Sequence, residues 1–200
     1  MSVITIVKKN GVVAMAADTL RICGARKLSA AHNQQPSKIV RLGEALVGIT
    51  GWSVSQQVLS HAYRDPRKVP AMSNAVEIFD MFQALHTRLK DDYFLNPGDY
   101  RSEPFESTQM SVLIASSHGI YGVDSMRDVT EYQRFWAAGL GSGYALGAMH
   151  AVYDSKAALE IAEAGVAAGI EFDEASGGPI ESHVVPVVPT VQELELLLQM

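Results

Sequence analysis

The chain opens with an alternating apolar strand that turns back on itself, and this hairpin limits the fold more than any other segment. Ser2-Val3-Ile4-Thr5-Ile6-Val7-Lys8-Lys9 runs into Asn10-Gly11, and Val12-Val13-Ala14-Met15-Ala16-Ala17 returns. Asn-Gly between apolar runs favours a tight hairpin, because both residues accept the positive φ of a type I′ turn. The returning strand carries Ala17-Asp18 back to the start of the chain. Ser2 directly follows Met1. If Met1 is removed, Ser2 holds an α-amine and a hydroxyl together, beside a carboxylate. A hydroxyl is a weak nucleophile near neutral pH and needs an adjacent base. An α-amine, with a pKa of about 7.7–8.0, is suited to that task.

Two hundred residues suit one domain, 1–200, with a sizeable core. Net charge is −6, and basic residues cluster no further than Lys8-Lys9 and Arg67-Lys68, which argues against a nucleic-acid partner. No stretch approaches the roughly 20 apolar residues of a membrane span, and the strand-like start does not read as a secretory leader. A lone Cys23 excludes an internal disulfide framework and fits a reducing compartment. These features predict a cytoplasmic protein with no membrane partner.

Strand signals occupy 2–8, 11–17, 37–42 and 44–50. Ser53-Val54-Ser55-Gln56 reads as a capping box, with a helix over about 54–64 that stops before Asp65-Pro66. A longer helix starts near Ser73-Asn74, with Ile78, Phe82, Leu85 and Leu89 on one face, and ends before Asn96-Pro97-Gly98. Residues 97–107 read as a loop. Strands follow at 111–116, 119–124 and 132–138, then a helix after Gly141-Ser142, another over about 156–169, and a β-branched closing strand at 179–188. Strand runs and helix pairs in this order, without strict β-α-β alternation, predict an α+β fold. Its form is a four-layer αββα sandwich of two antiparallel sheets flanked by helices.

The segment from Ser2 to Asp18, the strand start Ser37-Lys38-Ile39 and Leu46-Val47-Gly48-Ile49-Thr50-Gly51 together resemble the first third of a proteasome β-subunit or HslV-type protease. Gly139-Leu140-Gly141-Ser142-Gly143 and Asp173-Glu174-Ala175-Ser176-Gly177-Gly178 extend the likeness, so it covers nearly the whole chain in order and spacing. The resemblance implies an N-terminal nucleophile hydrolase that cleaves polypeptides inside a stacked ring of identical subunits, without a cofactor or metal. An ATP-dependent unfoldase partner would fit, although no motif here points to one. Two departures stand out: the family's usual nucleophile is threonine, and the stretch between Asp18 and Lys38 is longer than usual.

Each candidate also has an ordinary reading. Ser2 is a common small second residue; by resemblance it is the nucleophile. Lys38 is otherwise a solvated strand-end lysine; by resemblance it steadies charge near the Ser2 amine, with Lys27 as a competitor. Asp18 either caps the returning strand or holds that lysine. Gly48, mid-strand, marks a bulge or a close approach, and its N–H is the expected oxyanion donor. Leu46 shares its face and is a candidate pocket residue. Ser142 reads as an N-cap and, by resemblance, as a partner of the Ser2 amine. Asp173 and Ser176 read as a turn, or as a brace for the same amine. Cys23 reads as structural.

Other motifs fail. Gly139-x-Gly141-x-x-Tyr144 lacks the third glycine of a dinucleotide fingerprint. The six histidines show no zinc-ligand spacing. Two further functions stay open: a catalytically silent ring subunit of the same fold, and an amidase acting on a small molecule.

Overall fold

The structure is a computed structural model and describes residues 2–98 and 103–188. Met1, and residues 99–102 of the expected 97–107 loop, lie outside the described residues.

Strands β1 (Ile4–Lys9) and β2 (Val12–Asp18) form the opening hairpin, with Asn10 and Gly11 both at positive φ as the turn requires. Ile4 pairs with Ala17, so Asp18 falls opposite the residues just before β1. β11 (Ile180–Pro186) pairs with β2, and β10 (Phe135–Ala138) with β1, giving a four-stranded antiparallel sheet ordered β10-β1-β2-β11. The second sheet runs β5 (Ile39–Leu42), β6 (Ala45–Gly51), β7 (Met110–Ser116), β8 (Gly119–Val123), β9 (Val129–Tyr132), again antiparallel throughout.

Side-chain alternation sorts the strands into layers. Ile4, Ile6, Val13, Met15 and Ala17 of one sheet meet Ile39, Leu46, Leu113, Ala115 and Ile120 of the other in a central core. The opposite face of β1 and β2 (Val7, Ala14, Ala16) packs under α3 (Ser142–Val152) and α4 (Ala158–Phe172), through Met149, Ile161 and Val166. The outer face of β6 and β7 (Val47, Ile49, Val112, Ile114) packs under α1 (Ser53–Ala62) and α2 (Ala75–Asp91), through Leu59, Ile78, Phe82 and Leu85. Both faces of β1 are therefore buried, which explains its near-continuous apolar run. This is the αββα sandwich the element order predicts. Among the described residues no helix is long and apolar enough to cross a membrane.

Three expectations change. The strand expected over 132–138 divides at Gln133-Arg134: β9 ends one sheet and β10 joins the other, so the chain changes layers there. Tyr132 and Trp136 stack across the crossing, centroids 5.0 Å apart. A short hairpin, β3 (Arg21–Cys23) and β4 (Arg26–Leu28), fills the long stretch after Asp18. Cys23 is exposed on it rather than structural. The capping box does not form. Trp52 is the N-cap of α1, and the Gln56 amide instead donates to the Ser37 carbonyl at 2.8 Å.

Gly48 sits where the sheets press closest. A Cβ there would lie 2.8 Å from Ile4 Cγ2 and 3.1 Å from Met15 Sδ. Gly48→Ala should lower the unfolding free energy by about 1–3 kcal/mol in urea denaturation. Gly147→Ala, on α3 with open space at its Cβ, should raise it by up to about 1 kcal/mol. Equal stabilities for the two variants would contradict this packing.

Candidate active site

The site is built around one carboxylate. Asp18 ends β2 with no solvent exposure. Its Oδ1 accepts the Val3 N–H at 3.0 Å and the Lys38 ammonium at 2.6 Å. Its Oδ2 accepts the N–H groups of Leu20 (3.2 Å) and Gly177 (3.1 Å). A buried carboxylate needs such donors to offset its desolvation. Asp18 N–H in turn donates to the Val3 carbonyl at 3.1 Å, so the first residues of the chain are clamped from both sides.

Lys38 enters from the other sheet, immediately before β5, and is only 7% exposed. Burial pushes its pKa below the ordinary lysine value, against the opposing pull of Asp18. Arg21 adds to the lowering, and Asp173 opposes it from further off. Lys27, the competing lysine, is exposed on β4.

Ser2 is also buried, and its carbonyl accepts from Gly141 N–H at 3.4 Å. Gly139, at φ +96°, lies against that carbonyl: a Cβ would stand 2.0 Å from the oxygen, which no other residue permits. Ser2 and Lys38 line one cavity of about 370 Å³ with Leu20, Ile49, Gly51 and Trp52.

Several predicted residues fall elsewhere. Leu46 and Gly48 point into the central core, not the cavity. Antiparallel residues face alternate neighbours. Ile49 N–H donates to the Lys38 carbonyl on the β5 side, so the Gly48 N–H faces β7 and is spent in the sheet. By the same alternation Gly51 faces the β5 side, past the start of that strand, and it lines the cavity. Its φ of +118° and a Cβ position 2.8 Å from the Gln109 carbonyl explain why glycine stands there. Ile49, not Leu46, is the β6 side chain at the cavity. Ser142 is the first residue of α3, not its N-cap, which is Gly141. It lines a second cavity, on the far side of Gly51 with Thr50, Gly139 and Leu140.

Asp173 ends α4, and its Oδ2 accepts from the Ser176 hydroxyl at 2.6 Å. That bond fixes the turn from which Gly177 reaches Asp18 and receives the N–H groups of Thr19 and Leu20. Sequence reasoning missed Arg21 and Gln56 at the cavity wall, since 35 positions separate them and only the fold brings them together.

No family model and no curated protein matches the chain. Solved structures do. BPH of Thiobacillus denitrificans is similar in structure and sequence, at 38% identity and TM-score 0.89, over 94% of this chain and 100% of that one. The same protein solved in complex with Epoxomicin gives 39% identity and TM-score 0.87 over the same shares. HslV of Trypanosoma brucei is similar in fold alone, at 18% identity and TM-score 0.63, over 92% of this chain and 99% of that one. The chain belongs to the proteasome β-subunit/HslV-type family of N-terminal nucleophile hydrolases. Within that family it is a proteasome-like peptidase subunit similar to the bacterial BPH protein.

The pair at Asp18 predicts unequal losses. Asp18→Ala strands a buried ammonium and the N–H groups of Val3 and Gly177, and should cost about 3–5 kcal/mol in urea denaturation. Lys38→Met leaves Asp18 its backbone donors and should cost less. Because the folded pKa of Lys38 lies below its unfolded value of about 10.4, the unfolded chain binds more protons between those two values. Stability relative to Lys38→Met should therefore rise with pH across that window and stay flat below the folded value. A difference that falls over the window would contradict the burial argument.

Proposed function

We propose that this protein is an active N-terminal nucleophile peptidase with Ser2 as its nucleophile. The observation that carries the reading is the sharing of Asp18 Oδ1 between the Val3 N–H, directly behind Ser2, and the Lys38 ammonium. One oxygen thereby ties the chain's first residues to the cation of the opposite sheet.

In the proposed reaction, removal of Met1 frees the Ser2 amine. Ser2 Oγ attacks the scissile carbonyl carbon and its proton passes to that amine. The ion pair with Asp18 keeps a compact positive charge on Lys38 beside the amine, against the burial that lowers its pKa, and this charge disfavours a second ammonium and holds the amine in its basic form. The Gly51 N–H, in place of the Gly48 N–H, donates to the developing oxyanion. The C–N bond breaks as the ammonium returns its proton to the leaving amine. Water then attacks the Ser2 ester, its proton goes to the amine, and the acid product departs as Oγ is restored. Asp173 and Ser176 brace the turn that reaches Asp18, and Ser142 stands at the second cavity, across Gly51.

The likeness to BPH supports a self-assembled stacked ring with polypeptide substrates, and extended segments entering the chamber would reach the cleft. An unfoldase that feeds the ring belongs to the same reading. So does a cytoplasmic setting, consistent with the exposed, unpaired Cys23.

Hydrolysis of unfolded casein tests this. Ser2→Ala should abolish it, and Lys38→Ala should reduce it by about 10²–10⁴-fold with assembly intact. Epoxomicin, the ligand of the related BPH structure, should block activity and leave its added mass on the peptide that begins at Ser2. Wild-type turnover by Lys38→Ala, or an adduct mapped elsewhere, would overturn the mechanism.

A further inference from the structure

The cavity that holds Ser2 is charged in one direction. Lys38 is matched there by Asp18, but Arg21 is not matched by any carboxylate. Its Nη2 donates to the Gln56 side-chain oxygen at 2.9 Å and to the Gln35 carbonyl at 3.3 Å, both neutral acceptors. Among the described residues it forms no ion pair, and its Nε and Nη1 donors have no acceptor. Gln56 is held in turn by its bond to the Ser37 carbonyl, so the guanidinium is braced at the wall rather than loose in solvent. The remaining walls are mostly apolar, with Leu20, Ile22, Ile49 and the 70% exposed Trp52 beside the single hydroxyl of Ser53.

An anchored, unneutralised guanidinium above an apolar well fits one chemical class, a carboxylate on a short methylene stem. The stem packs on Ile49 and Trp52 while the carboxylate meets Arg21. Ser2 and Gly51 line this same cavity, so the residue whose carbonyl is attacked must place its side chain here. Resting on the peptidase reading above, we propose that Arg21 is a specificity-determining residue. It selects substrates with glutamate, and less well aspartate, on the acyl side of the scissile bond. Leucine or tyrosine would leave the guanidinium desolvated and unpaired. Lysine or arginine would meet like charge from both Arg21 and Lys38, so discrimination runs against both classes.

The test uses the assembled, Met1-free protein and fluorogenic tetrapeptides that differ only in the residue before the fluorophore: Glu, Asp, Leu, Tyr or Arg. Glutamate should exceed leucine in kcat/KM by about ten- to a hundredfold, the range of a hydrogen bond to a charged group. Arg21→Gln, which keeps a polar contact to Gln56, should bring that ratio close to one, and Arg21→Lys should restore part of it. A preference for Leu or Tyr in the wild type, or an unchanged ratio in Arg21→Gln, would overturn the assignment. A binding measurement separates this site from the chemistry: Trp52 emission, in a Trp136→Phe background, titrated with an acetylated tetrapeptide amide ending in Glu or Leu. Glu-selective binding that Arg21→Gln abolishes, with no peptide hydrolysed, would uphold the site and overturn the peptidase reading. Hydrolysis without Glu preference would do the reverse.

Discussion

Four donors from four parts of the chain converge on the Asp18 carboxylate, and the cleft depends on that convergence. Val3 brings the first strand, Lys38 the edge of the opposite sheet, Leu20 the start of the inserted hairpin and Gly177 the turn after α4. A buried ion pair adds little net stability, because desolvation offsets most of its attraction. Its value here is positional. With all four donors engaged on Asp18, the start of the chain and the lysine are held in one arrangement. The Ser176–Asp173 bond extends this control one layer outward, since it shapes the turn that carries Gly177.

The same constraint bears on serine in place of threonine. Serine lacks the γ-methyl that restricts threonine's χ1, so its hydroxyl relies more on the backbone for its position. That backbone is tightly enclosed: the Ser2 carbonyl lies against Gly139, and Val3 packs against Gly141 and Gly169 closely enough that a Cβ at either glycine would come within 3.0 Å of it. The buried cation and the 370 Å³ cavity next to Ser2 are the features that the proposed chemistry uses.

Much of this was readable from the residues. The Asn10-Gly11 turn and the strand–helix order pointed to the sandwich, and the resemblance to proteasome-type subunits pointed to Ser2, Asp18 and Lys38 as one cluster. The errors have physical causes. Gly48 looked like a site glycine, but a mid-strand glycine equally marks a close approach between layers, here Ile4 and Met15 pressing on β6. Only strand parity, fixed by the Ile49–Lys38 bond, shows that the outward-facing N–H belongs to Gly51. Leu46 failed with it, being two residues away on the same face. Gln56 satisfied the pattern of a capping box, yet its amide had a better partner in the Ser37 carbonyl. The break at Gln133-Arg134 left no local signal, because both halves carry strand-forming residues and the change of sheet is set by tertiary pairing.

The central claim is that the base is the α-amine of Ser2 itself. An amide nitrogen cannot replace it, since its lone pair is delocalised into the carbonyl. The most direct measurement is intact mass and peptidase rate on the same fractions, comparing protein that retains Met1 with protein that begins at Ser2. Activity should track the Ser2-terminal fraction in proportion and vanish when Met1 is fully retained. Full turnover by protein whose mass still includes Met1 would contradict the account.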